Sequence, residues 1–411
     1  MRKRHFSLCL IVFILIPSVL LRAQAETPAG RIAYIGMDYN VYVEDFAQDN
    51  TIALTDDADP ENFYIYEMPT WATDGRLAYF SRAREGRNLQ LGAYVARDGD
   101  ATGTLVFEAT NRVLNYAYWS PADCSEGEHC RDLALLLSGT EDLTVELVRD
   151  SDDGVSYTTI GSGGPFYYSW SPEGTQMLWQ RDTEQLNVYD VASDEISETL
   201  DVVPGIFQAP AWSPVDDRLL FGVLNGENTD LTVFEDSETS VLAPELDGIV
   251  AFAWSPDARY IAYTEGYRSL AVLEVATGEV VTQTLEEGVF AFFWSPNSEA
   301  LAYTTLASQQ NSSSAKLRQE PNGIAWSVID VRDGEERHFG AFFPTNDMLY
   351  LLTYFDQFAQ SHRVWSPDSR YLVYGEFSAD GAPLVRMLDT TETNAEAETI
   401  AEGMIGIWSF E

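Results

Sequence analysis

The residues able to do chemistry in this chain do not assemble into a recognisable catalytic set. Beyond its first 25 residues the only histidines are His129, His338 and His362, too few to outline a metal site or a nucleophile–base pair. There is no Gly-x-Ser-x-Gly elbow, which sets aside the serine hydrolases built on it, and no Gly-rich phosphate loop. Carboxylates are the opposite case. The chain has 65 Asp and Glu against 24 Lys and Arg, for a net charge of −41. A carboxylate pair can hydrolyse a glycosidic bond, yet with so many acids some pair always looks suitable, so the pattern selects nothing. The runs Asp56-Asp-Ala-Asp59 and Asp150-Ser-Asp-Asp-Gly154 offer oxygens to Ca²⁺ without completing a calcium loop. They read as solvated turns, and no cofactor is expected. Cys124 and Cys130 enclose five residues of a polar segment. They read as a disulfide pinching a surface loop, because with His129 they would leave a zinc site one ligand short.

Any site must be positioned by a repeat. Trp-Ser-Pro recurs at Trp119, Trp170, Trp212, Trp254, Trp294 and Trp365, with altered copies at Trp71 and Trp408. The copies lie 40 to 51 residues apart except for one interval of 71 after Trp294. That period, filled with short strands, is the signature of a propeller of four-stranded blades. The unit at Trp254 is the clearest. Ile249-Val-Ala-Phe-Ala-Trp254 is apolar on both faces, Ser255-Pro256-Asp257 has turn chemistry, and three further strands follow by Leu285. A large flat ring at the end of each first strand fills the gap between neighbouring sheets, so the eight Trp are read as blade-packing residues.

The ends of the chain complete each other. Arg31-Ile-Ala-Tyr34, Asn40-Val-Tyr-Val43 and Thr51-Ile-Ala-Leu54 read as the last three strands of a blade, and Gly403-Met-Ile-Gly-Ile-Trp408 as a first strand without the rest. Joined, they form one composite blade that closes the ring and leaves no exposed sheet edge. Eight Trp positions predict an all-β propeller of eight blades over residues 26–411; seven is the alternative.

Trp170-Ser-Pro-Glu-Gly174, Trp254-Ser-Pro-Asp257 and Trp365-Ser-Pro-Asp368, each followed by a Leu-Ala-Tyr-type strand, resemble the TolB-type, WD40-like propeller family. The resemblance runs along nearly the whole chain beyond its leader. It implies the propeller fold, and functions that range from scaffolds to accessory domains of hydrolases. No Trp is followed by Asp, so the WD dipeptide itself is missing.

Two departures from the repeat fall in the long interval. Residues 306–323 form a polar insertion, read as a hairpin loop, that holds Lys316, the only lysine beyond the leader. Residues 346–360 carry Met348, Leu351, Leu352, Phe355 and Phe358 at helical spacing, with Thr345 placed to cap. This predicts a short amphipathic helix across one end of the ring. Its other face, Tyr350, Tyr354, Asp356 and Gln357, with His362 beyond, is the candidate lining of a partner or ligand site.

Arg2, Lys3 and Arg4 before an apolar run, then Ala23-Gln-Ala25, read as a signal peptide over residues 1–25. The chain is therefore expected to be exported, periplasmic or extracellular, and not membrane-inserted after cleavage. Its acidic surface repels phosphate backbones, which argues against nucleic acid. The reading is a monomeric, non-catalytic scaffold for a protein or peptide partner. The alternatives are a glycan-active lyase or hydrolase with its site in the funnel, or an accessory propeller of a separate catalytic subunit.

Overall fold

The computed structural model describes residues 27–122, 132–139, 142–151, 154–205, 208–266, 268–285, 288–306, 323–393 and 395–411. The leader, Cys124, Cys130, His129 and residues 307–322 of the insertion lie outside them. Among the described residues the strands form seven sheets, six of four strands and one of six. Each four-stranded sheet is an antiparallel meander. In the Trp254 unit, Val250–Trp254, Tyr260–Glu265, Leu270–Glu274 and Glu279–Gln283 pair in sequence order. The first three are largely buried and the fourth is largely exposed.

Seven sheets correct the count of eight and match the alternative. The reason lies in one strand. Glu398–Trp408 runs unbroken for 11 residues. Its first half pairs with Pro383–Asp389 and its second with Arg31–Gly36, so the Trp365 and Trp408 units share the six-stranded sheet. The Trp365 unit has little first strand of its own, only isolated bridges at Arg363 and Trp365. The ring closes through the two ends of the chain. Ile32 faces Trp408 and Ala33 faces Ile407, and the Arg31 amide and carbonyl both bond Ser409.

The Trp-Ser-Pro turn has a fixed geometry. In the Trp254 copy the Ser255 hydroxyl donates to Asp257 at 2.7 Å and accepts from the Tyr260 amide at 3.0 Å. The residue four after Trp then takes a left-handed backbone: Gly75, Gly174, Ala258, Ser298 and Ser369 have φ between +53° and +82°. Gly174 is there for a second reason, since a Cβ would lie 2.0 Å from the Ser120 hydroxyl of the neighbouring sheet.

The Trp rings do more than fill space. Each indole N–H of Trp119, Trp170, Trp254, Trp294 and Trp365 donates to the carbonyl just before the preceding unit's Trp, at 3.0 to 3.3 Å. Trp71 reaches Ile407 in the same way, across the closure. Two positions differ. The turn after Trp212 is as long as that after Trp254, but the Trp212 indole bonds the Asp216 carbonyl within that turn, and the link to the neighbouring sheet passes from the Trp212 amide to the Ser169 hydroxyl. The buried Trp408 indole nitrogen has no partner among the described residues.

Candidate functional site

The segment read as one helix is two: α1, Asn346–Thr353, and α2, Phe355–Phe358. Thr345 caps α1 by accepting from the Met348 amide at 3.3 Å, and its hydroxyl donates to the Met404 carbonyl. Met348, Leu351, Leu352, Phe355 and Phe358 are all buried. Phe358 meets Tyr116 edge-on with ring centroids 5.1 Å apart, and Phe355 meets Phe292 at 4.8 Å. The helices thus rest on the inner strands of several sheets.

Polar side chains fix this plug to the strands around it. Gln357 donates to the Tyr168 carbonyl at 2.8 Å and accepts from the Tyr168 amide at 3.3 Å, while the Tyr116 hydroxyl donates to the Gln357 carbonyl. The Tyr350 hydroxyl donates to the Asn115 carbonyl at 3.0 Å. Asp356 accepts from the Ala209 amide at 2.9 Å and the Gln357 amide at 3.0 Å. Burial raises its carboxyl above the usual range, against the lowering effect of those amides. His362 lies between Ser361 at 2.7 Å and Thr70 at 3.2 Å. Burial lowers its pKa to about 3, so the ring is neutral at physiological pH.

On one side of the plug, where the Trp-Ser-Pro turns converge, lies a cavity of about 260 Å³. Its wall is a ring of repeat residues: Trp170, Trp212, Trp254, Trp294 and Trp365, with Pro121, Pro172, Pro214, Pro256 and Pro296. Asp356, Ala359, Gln360 and His362 come from the plug, and Tyr118, Arg363 and Phe410 also line it. The Arg363 guanidinium stacks over Phe410 at 4.2 Å. Burial lowers its pKa to about 10, opposed by the nearby Tyr118.

Of the residues singled out in the sequence, Asp356 and His362 line this cavity. Gln357 and Tyr350 are engaged in holding the plug, and Tyr354 is exposed outside the cavity. Sequence reasoning passed over Arg363, although a signal existed. Two residues before each Trp the chain has Pro69, Ala117, Tyr168, Pro210, Phe252, Phe292, Arg363 and Gly406, and only one of these is charged.

At the other end of the inner strands, Glu67 pairs with Arg82 at 3.1 Å and lies near Asp347 of α1. Burial raises both carboxyls, and Arg82 opposes the rise. Among the described residues no group of three or more His, Cys, Asp or Glu is arranged to hold a metal. Asp57 is bonded by the Tyr66 hydroxyl, and Asp59 caps a 3₁₀ turn. No helix among the described residues is long and apolar enough to cross a membrane.

No protein-family model matches the sequence, and no curated protein matches it. Solved structures are similar to it. A crystal structure of the eukaryotic initiation factor covers 92% of this chain and 98% of its own, at 11% identity and a TM-score of 0.53. TolB from Acinetobacter baumannii covers 80% and 81%, at 11% identity and 0.39. The β-propeller domain of Cps50 (Swd1) from Myceliophteria thermophila covers 66% and 84%, at 10% identity and 0.41. Likeness at such identities concerns architecture alone. The chain is a β-propeller.

Proposed function

We propose that this propeller is an exported, non-catalytic scaffold that binds a protein or peptide partner at the Trp-Ser-Pro end of its ring, in the manner its TolB-type repeat suggests. The observation that carries the reading is the cavity. A concave surface walled by aromatic and proline side chains, with few polar groups at its base, is the composition of a recognition site. Its volume, about 260 Å³, lies below the roughly 300–1,000 Å³ of sites for drug-sized ligands. It suits a chain end or a side chain better than a whole small molecule. The plug behind it closes the channel, so a partner engages from the turn side. Export is supported by the leader and agrees with the acidic surface, which favours solubility.

A photo-cross-linker at Val215, exposed on one of these turns, should capture the partner from the protein's own compartment. The same group at Val281, exposed on an outer strand, should not. Equal capture from both positions would reject the Trp-Ser-Pro end as the binding face.

A further inference from the structure

Arg363 is a cation in a cavity, in a chain with 65 acids, and it has none of them as a partner among the described residues. Three other arginines near the repeat turns are paired with carboxylates, while Arg259 lies over the Tyr260 ring and donates to its hydroxyl at 3.2 Å. Arg76 bonds Asp74 at 2.8 Å, Arg218 bonds Asp216 at 2.7 Å, and Arg370 bonds Asp389 at 2.8 Å. Only an aromatic face, Phe410, meets the Arg363 guanidinium, and a ring leaves the in-plane N–H donors free. The Tyr118 hydroxyl, near enough that the two groups perturb each other's ionisation, also lacks a hydrogen-bond partner among the described residues. The ionisable groups of the plug that reach the lining are occupied, and the Gln360 amide nitrogen bonds the Pro210 and Asp356 carbonyls. Asp356 accepts two backbone amides and forms no ion pair with Arg363, and both ring nitrogens of the neutral His362 are bonded. A half-buried guanidinium and a phenol with open donors, against apolar walls, complement one ligand group best: a planar carboxylate that accepts from both.

We propose that Arg363 and Tyr118 form a carboxylate-binding site in this cavity, anchoring a peptide whose adjacent apolar residue packs on the Trp and Pro walls. The inference rests on the reading of this end as the peptide-binding face. The carboxylate has two sources, a free C-terminus or an Asp or Glu side chain.

Three probes separate them: acetyl-Gly-Phe with a free carboxylate, its C-terminal amide, and acetyl-Asp-Phe-amide, titrated against the purified chain by tryptophan fluorescence. A carboxylate anchor predicts that acetyl-Gly-Phe binds at least about tenfold more tightly than its amide, as expected for a hydrogen bond to a charged group. Recovery of that affinity by acetyl-Asp-Phe-amide assigns the side chain, and failure to recover it assigns the C-terminus. Arg363→Gln should weaken the preferred probe about 10- to 100-fold and abolish the preference for acid over amide. Tyr118→Phe should cost about two- to tenfold, with the fold monitored by thermal unfolding. Equal affinity for acid and amide, no effect of Arg363→Gln, or no binding of any probe would overturn the anchor. If a cross-linker at Val215 still captures a partner, the anchor alone falls; if it does not, the peptide-binding face falls with it.

Discussion

The two ends of the channel are made from opposite ends of the same inner strands, and their charge arrangement differs. At the turn end, repeat residues build an apolar wall, and the Arg363 guanidinium that lines it has no carboxylate partner among the described residues. At the other end Arg82 pairs with the half-buried Glu67 near the more exposed Asp347, two acids whose pKa values both rise. The walls come from the repeat, while most of the polar groups at the base come from the stretch that interrupts it. The repeat therefore makes a surface, and its interruption gives that surface a chemistry. An acid pair held by its own arginine is internally compensated; a lone arginine looks outward for compensation.

The largest test removes what holds both ends in register. Deleting residues 403–411 takes away Trp408, Phe410 and the strand that pairs with Arg31–Gly36. The expected loss exceeds about 5 kcal/mol, from the buried Trp and a row of ladder bonds. That is comparable with the whole stability of many domains, so cooperative thermal unfolding should vanish. Trimming residues 27–29 should leave the melting temperature nearly unchanged. An intact transition after the C-terminal deletion would show that closure does not hold the ring.

Acid should act on the two ends with opposite signs. His362 titrates at about 6.5 unfolded and about 3 folded, so its contribution is complete above 6.5 and is lost as pH falls through that window. At the bottom of the window the loss amounts to roughly 5 kcal/mol. Glu67 and Asp347 bind protons more readily when folded, so their burden at neutral pH is relieved as pH falls into the carboxylate range. Urea unfolding at stepped pH should show a flatter acid limb for His362→Gln. The double variant Glu67→Gln with Asp347→Asn should show a steeper one. Identical limbs in all three proteins would refute this picture of the buried groups.

The smallest effect distinguishes two buried Trp that look alike in sequence. Trp365→Phe removes a bond to the Phe293 carbonyl, whereas Trp408→Phe removes an indole nitrogen with no partner among the described residues. Both lose ring area, but the first should cost about 1 kcal/mol more. Equal losses in melting temperature would mean that the indole bonds carry no net stability.

Much of the fold could be read because a repeat states its own period. Trp marks every inner strand and Pro follows it in six of the eight copies, and the apolar face of residues 346–360 is written at helical spacing. Gln357 and Tyr350 could not be placed in the same way. Their position on the polar face gives no clue that the backbones of Tyr168 and Asn115, far away in sequence, claim them. Tyr354, adjacent to both in spacing, meets no such backbone and stays exposed.

Sequence alone determined that this chain builds antiparallel four-stranded units, that a Trp ends each first strand, with a Pro turn after six of the eight, and that its two termini need each other. These follow from local pattern and from backbone groups that must be paired. Tertiary structure decided that the last two units fuse through Glu398–Trp408 into one sheet, making seven from eight Trp positions. It also decided which polar residues of the plug face the cavity, and that Arg363 lies over a ring beside Tyr118 with no acid partner among the described residues. Those outcomes depend on which strands come side by side when the ring closes, and no local spacing encodes that.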